Sequence, residues 1–208
     1  GSMDELATVP ALADYDRGFK KCAVHQQTQR TYAIGDNEAG TQALVVLDAN
    51  LQVVATVETT GAGPEDEDEH PFLPIRGVAV HGDQVIVLTG ENHAEGSGLR
   101  LLDLDGQFLR TIAAGQFLNP QAVAVSPGRA FVIDYYYIDE EEDDDDDDDV
   151  EPGNVLYIID IQSGELIQRA YLDLKGANAE ILVDGDEIFI SEYSAGKVMV
   201  LQLAGSEA

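Results

Sequence analysis

The chain has 208 residues, with 40 Asp and Glu against 11 Lys and Arg, a formal net charge of −29 and 44% hydrophobic residues. That apolar content supports a packed core and excludes a wholly disordered chain. The charge argues against nucleic acid and anionic membranes as partners, since both need clustered Lys and Arg.

Taken in order, Gly1-Ser2 ahead of Met3 reads as a cleavage scar left by expression, and residues 3–208 as a single domain. Nothing after Met3 has the basic start and apolar core of a signal peptide, and Cys22 is the only cysteine, which together favour an intracellular protein. No apolar run approaches the ~20 residues of a membrane helix. Residues 5–12 (ELATVPAL) suit an outermost strand, where the missing N–H of Pro10 is tolerated.

From residue 18 onward a pattern of short apolar runs repeats. The first copy, 18–60, contains FKKCAVH ending at His25, TYAIG from Thr31, ALVVLD from Ala43 and LQVVATVE from Leu51. Within it Cys22 reads as a small buried hydrophobe. The second copy, 74–115, repeats Ala79-Val80-His81, then QVIVLTG, LRLLDLDG and QFLRTIAA. The third, 119–175, has Ala124-Val125-Ser126, RAFVID, NVLYIIDI and ELIQRAYLDL. The fourth, 178–205, has Leu182-Val183-Asp184, EIFIS and GKVMVLQL, and lacks the last run. The runs are rich in Val, Ile, Leu and Tyr and are punctuated by DG, NP, PG and SG, which is strand-and-turn chemistry.

The interval from Val80 to Val125 is 45 residues, while the neighbouring intervals are 56 and 58. Each longer interval holds one acidic insert, at 61–72 and 139–153. A four-stranded unit of roughly 40–50 residues in tandem is the signature of propeller blades. The expected fold is an all-β propeller of four antiparallel four-stranded meanders, closed by residues 5–12 acting as the outer strand of the last blade.

Particular stretches carry a likeness to a known family. Pro74-x-x-Gly77-Val78-Ala79-Val80, Asn119-Pro120-x-Ala122-Val123-Ala124-Val125, Phe131-Val132-Ile133-Asp134 and Leu102-Asp103-Leu104-Asp105-Gly106-Gln107-Phe108 resemble the NHL-type repeat of β-propellers, from about Phe19 to Leu203. Members of that family more often have six blades. Two arrangements follow for four copies: a complete ring in a monomer, or a partial ring completed in a homodimer.

Blade topology places the inserts. The connections between the second and third strands, and between one blade and the next, leave from one face, so both inserts emerge together. Glu65, Asp66 and Glu67 belong to a five-residue acidic run, and Asp139, Glu140, Glu141, Glu142 and Asp143 begin an eleven-residue one. Neighbouring charges ~3.5 Å apart fall well inside a Debye length of ~8 Å. Such a run is either a solvated insertion, a dock for a basic protein segment, or a loose site for divalent cations. Tyr135, Tyr136 and Tyr137 adjoin it, either as blade packing or as an aromatic anchor beside the charge.

Two position-equivalent sets offer metal chemistry. Asp36, Glu91, Asp134 and Glu192 stand at or just past the second strand, where converging carboxylates would suit Ca²⁺ as a cofactor. His25, His81 and Asp184, with Ser126, end the inner strands on the opposite face, where two His and an Asp suit a transition metal. In each case solvated loop ends or polar turn caps are the plain alternative.

No nucleophile elbow, phosphate loop, H-E-x-x-H or paired-Cys motif is present. The expected function is therefore a non-catalytic binding or scaffold module whose acidic face docks a basic partner or cations. The alternative is a hydrolase- or lyase-like propeller enzyme with a metal-assisted site near the central channel. Against it, a four-bladed ring is expected to leave a narrow channel with little room for an organic substrate.

Overall fold

The computed structural model describes residues 19–36, 42–58, 74–90, 96–136, 153–174, 176, 179–193 and 196–203. The inner strands β1 (Phe19–His25), β5 (Ile75–His81), β9 (Pro120–Ser126) and β13 (Ala179–Asp184) each open a sheet. Each is followed outward by β2 (Arg30–Asp36), β6 (Gln84–Thr89), β10 (Arg129–Tyr136) or β14 (Glu187–Glu192). Next come β3 (Gln42–Leu47), β7 (Gly98–Asp103), β11 (Gly153–Asp160) and β15 (Lys197–Gln202), and then the outer strands β4 (Val53–Glu58), β8 (Phe108–Ile112) and β12 (Leu166–Leu172). Every pairing is antiparallel and joins sequence neighbours, giving three four-stranded sheets and one of three strands. The protein is a four-bladed β-propeller, with no helix among the described residues. Residues 5–12, the expected closing strand, lie outside the described residues.

Burial follows from position in the blade. Middle strands are covered on both faces by neighbouring blades, so β3 and β6 read as nearly unbroken apolar runs and are buried almost throughout. Outer strands meet solvent and are mixed: β8 and β12 are largely exposed. Three apolar cores fill the spaces between blades. Tyr32, Ile34, Leu44 and Val46 of the first blade pack on Ile75, Val85 and Val87 of the second. Ile86, Leu88 and Leu99 pack on Val123 and Val132 of the third. Phe131, Ile133 and Ile158 pack on Ile188 and Ile190 of the fourth. Fully burying one such side chain stabilises by about 1.5–3 kcal/mol relative to exposure.

Between the fourth and first blades, the described residues give an ion pair from Lys21 Nζ to Glu180 Oε1 at 2.8 Å. On the adjoining faces Leu182, Val198 and Val200 of the fourth blade and Val24 of the first remain exposed.

Two devices recur from blade to blade. The turn after the third strand is stapled by an aspartate: Asp48 Oδ1 accepts from the N–H groups of Asn50 and Gln52, and Asp103 Oδ1 from those of Asp105 and Gln107. Asp160 Oδ1 accepts from Ser163 N in the third blade. This is the local chemistry that makes Asp a turn residue. The second device is a bulge on each outer strand, where Val54, Leu109 and Ile167 are the extra residues. Bulges of this kind twist an edge away from pairing with another sheet.

Candidate functional site

The meander sends the β2–β3, β6–β7 and β10–β11 connections, and all blade-to-blade connections, to one rim. The acidic inserts belong to the β4–β5 and β10–β11 connections, so both depart from it. Glu65, Asp66, Glu67, Glu91, Tyr137 and Asp139, Glu140, Glu141, Glu142 and Asp143 lie outside the described residues. Tyr135 is half-buried in β10 opposite Asn154, and the backbone of Tyr136 pairs with Gly153.

The carboxylates expected to converge on this rim are engaged separately. Asp36 Oδ2 lies 2.6 Å from Lys20 Nζ. Asp134, 1% exposed, accepts from the backbone N–H groups of Leu118 (3.0 Å) and Asn119 (2.7 Å) and so pins the loop that leads into β9. Glu192 is buried at the end of β14. Asp134 pairs with Pro120 and Glu192 with Ala179, whereas Asp36 sits one step beyond the equivalent position.

On the opposite rim, His25 is buried and its Nδ1 shares a 2.7 Å hydrogen bond with the Thr28 hydroxyl. His81 Nε2 accepts from Gly128 N at 3.4 Å, and Asp184 is exposed. Among the described residues no three His, Cys, Asp or Glu side chains come together as a metal set. Equivalence in a repeat gives the same step in four separate strands, and here His25 is engaged within its own turn and His81 with the third blade.

The axis holds what sequence reasoning missed. In β1, β5 and β9 one extra residue interrupts the register with the second strand, and in each blade it is the same residue of the repeat: Lys20, Arg76 and Gln121. β13 has no such bulge, and Glu180 pairs regularly with Ser191. The three bulged residues, with Lys21, Gln42, Glu180 and the apolar Ile34, Ile75 and Ala179, line a cavity of about 220 Å³ at the insert-bearing mouth.

Lys21 Nζ donates to Gln121 O at 2.8 Å as well as bridging to Glu180, and Arg76 Nε donates to Gly90 O at 2.9 Å. Gln121 Nε2 donates to Asn119 O and Oδ1. The signal for this mouth was the Lys and Arg four to five residues before His25 and His81.

The mouth shares Lys20, Lys21 and Glu180 with an axial cavity of about 470 Å³ lined by all four inner strands. That volume lies within the ~300–1,000 Å³ of small-molecule pockets, so the channel is roomier than four blades suggested. It reaches the joint between the first and fourth blades, where Cys22, Val24 and Leu182 line it. Cys22 corrects a second expectation: it is exposed and lines this cavity. Strand alternation packs Ala23 against the second blade and turns Cys22 the other way.

No family model matches the sequence, and no curated protein matches it. Similarity is found among solved structures, which include propeller folds. The computationally designed Ika4 protein matches with a TM-score of 0.55 at 13% identity, over 98% of this chain and 100% of that one. Hydrazine synthase of Kuenenia stuttgartiensis matches with a TM-score of 0.57 at 13% identity, over 89% of this chain and 64% of that one. The acylaminoacyl peptidase of Pyrococcus horikoshii matches with a TM-score of 0.54 at 10% identity, over 83% of this chain and 27% of that one. The chain thus spans under two thirds of either natural protein. At such identities the likeness is one of fold.

Proposed function

We propose that this propeller is a non-catalytic binding or scaffold module, of the NHL-repeat kind, whose acidic rim docks a basic segment of a partner protein. The observation that carries this reading is topological: two acidic inserts, at different points in the repeat, leave from the same rim. Those runs, with Glu151, hold 17 of the chain's 40 acidic residues, so the charge is concentrated rather than spread. The kinship with NHL repeats is supported by the stretches around Gly77, Ala122, Asp134 and Gly106 and by the propeller fold, while the blade number of four departs from the family's usual six.

Complementary charge raises association rates and makes them fall with salt. The test is binding of a Lys/Arg-rich peptide to the full chain and to a form lacking Glu140–Asp149, over a salt series. The expected result is at least a roughly tenfold loss of affinity on deletion, with a flatter salt dependence. Unchanged affinity and unchanged salt dependence would sink the docking role.

A further inference from the structure

We propose that the axial mouth on the insert-bearing rim binds a short dicarboxylate, held between Lys20 and Lys21 of β1 and Arg76 of β5. This goes beyond the docking of a basic partner and rests on different residues. Bases are scarce in this chain, yet three of its 11 Lys and Arg line one small cavity, where they meet two carboxylates, Glu180 in the lining and Asp36 on Lys20. Two of the three stand on bulges at the same repeat position, and bulges are a means of re-aiming a side chain next to a site.

Donor capacity points to an anionic ligand. With Nε held on Gly90 O, the Arg76 guanidinium keeps both Nη groups as a fork, the geometry that takes a carboxylate in two hydrogen bonds. Arg76 meets no carboxylate among the described residues. Each ammonium has three donors; Lys20 has one assigned to Asp36, and Lys21 two assigned to Gln121 O and Glu180. The Glu180 side chain is 60% exposed, and exposed pairs of this kind are weak enough for a ligand to share the cation.

A lining with several cations suits a ligand with two charges better than one with a single charge. The cations come from neighbouring blades, and Ile34 and Ile75 add apolar surface to the same lining. A short methylene chain with a carboxylate at each end can use cations of both blades and the apolar lining together, which a compact oxyanion cannot. At about 220 Å³ the cavity falls below the ~300–1,000 Å³ of drug-sized pockets, consistent with a small diacid. Within the cavity the three cations outnumber the carboxylates of Glu180 and Asp36 that they meet, so the local balance is positive.

The experiment is calorimetric titration of the full chain with succinate and glutarate, with propionate and inorganic phosphate as comparisons, in about 0.15 M salt. One diacid is expected to bind one-to-one, with a dissociation constant on the order of 0.1–1 mM, and to raise the thermal midpoint. Propionate and phosphate are expected to bind at least roughly tenfold more weakly. Arg76→Gln and, independently, the mostly exposed Lys20→Gln are each expected to lose at least about fivefold in diacid affinity, with Arg76→Lys falling between wild type and Arg76→Gln. Three results would each overturn the proposal: no saturable heat up to about 10 mM diacid, phosphate or propionate binding as tightly as the diacid, or diacid affinity unchanged in both glutamine variants. Deleting Glu140–Asp149 is expected to leave diacid binding intact, so failure here and failure of the docking role are separately visible.

Discussion

Gly77 on β5 lies flush against Val123 on β9: a Cβ added at Gly77 would come 2.9 Å from Val123 Cγ1 and 3.3 Å from its backbone nitrogen. Val is stiff about χ1 and cannot easily swing aside. Gly77→Ala is therefore expected to destabilise by about 1–3 kcal/mol, read from denaturant midpoints at constant slope. In a Val123→Ala background the added methyl has room, so a double-mutant cycle should show the two changes partly cancelling.

Tyr32 OH and Arg30 Nη1 both donate to Leu104 O, at 2.8 and 2.7 Å, joining the first blade to a turn of the second. Tyr32→Phe removes one donor and leaves the carbonyl partnered, so the expected cost is small, about 0.5–1.5 kcal/mol at neutral pH. Burial pushes the Tyr32 phenol above its ordinary 10.0. A raised folded value means this contribution is complete below the unfolded value and lost as pH rises through the folded one. Urea midpoints of the two proteins should accordingly stay apart up to about pH 9 and converge only as pH rises above about 10.

Asp134 offers a sharper loss. Its two oxygens satisfy Leu118 N and Asn119 N inside the protein, and alanine would leave both donors without that acceptor. Asp134→Ala is expected to cost about 3 kcal/mol, and Asp134→Asn less, since one carbonyl oxygen remains while the amide N–H₂ opposes the other donor. Equilibrium unfolding of the two variants side by side checks the order.

Asp160 is held below its ordinary value of 3.8, first by the backbone N–H of Ser163 and then by that residue's side chain. A depressed folded value means the stabilisation is present above the unfolded value and disappears as pH falls through the folded one. Asp160→Asn should melt below wild type at neutral pH, and the gap should close as acid is added below about pH 4. A gap that stayed constant into acid would contradict the role of the carboxylate charge.

The strands were legible because two-sided burial leaves a direct trace: the runs ALVVLD, QVIVLTG and RAFVID coincide with β3, β6 and the first part of β10. The bulges were not legible, since one extra residue at Lys20, Arg76 or Gln121 shifts the register without altering the apolar run after it. The axial mouth was hidden for the same reason, and because Lys20, Lys21 and Arg76 are few against a strongly acidic background. Asp134 shows a different limit: a carboxylate at a strand end reads equally as ligand or as staple until the positions of Leu118 N and Asn119 N are known. His25 and His81 shared a repeat position, but Thr28 and Gly128 take their ring nitrogens separately.

The joint between the fourth and first blades, where Lys21 meets Glu180 while Leu182 and Val200 stay exposed, has a kinetic consequence. The second and third blades are packed by apolar cores on both flanks. Backbone amides of β6 and β10 should then exchange with deuterated solvent only through opening of the whole molecule, while those of β15 exchange through a smaller, local opening. The propeller would breathe like a row of four sheets bent into a circle, with one end looser than the middle.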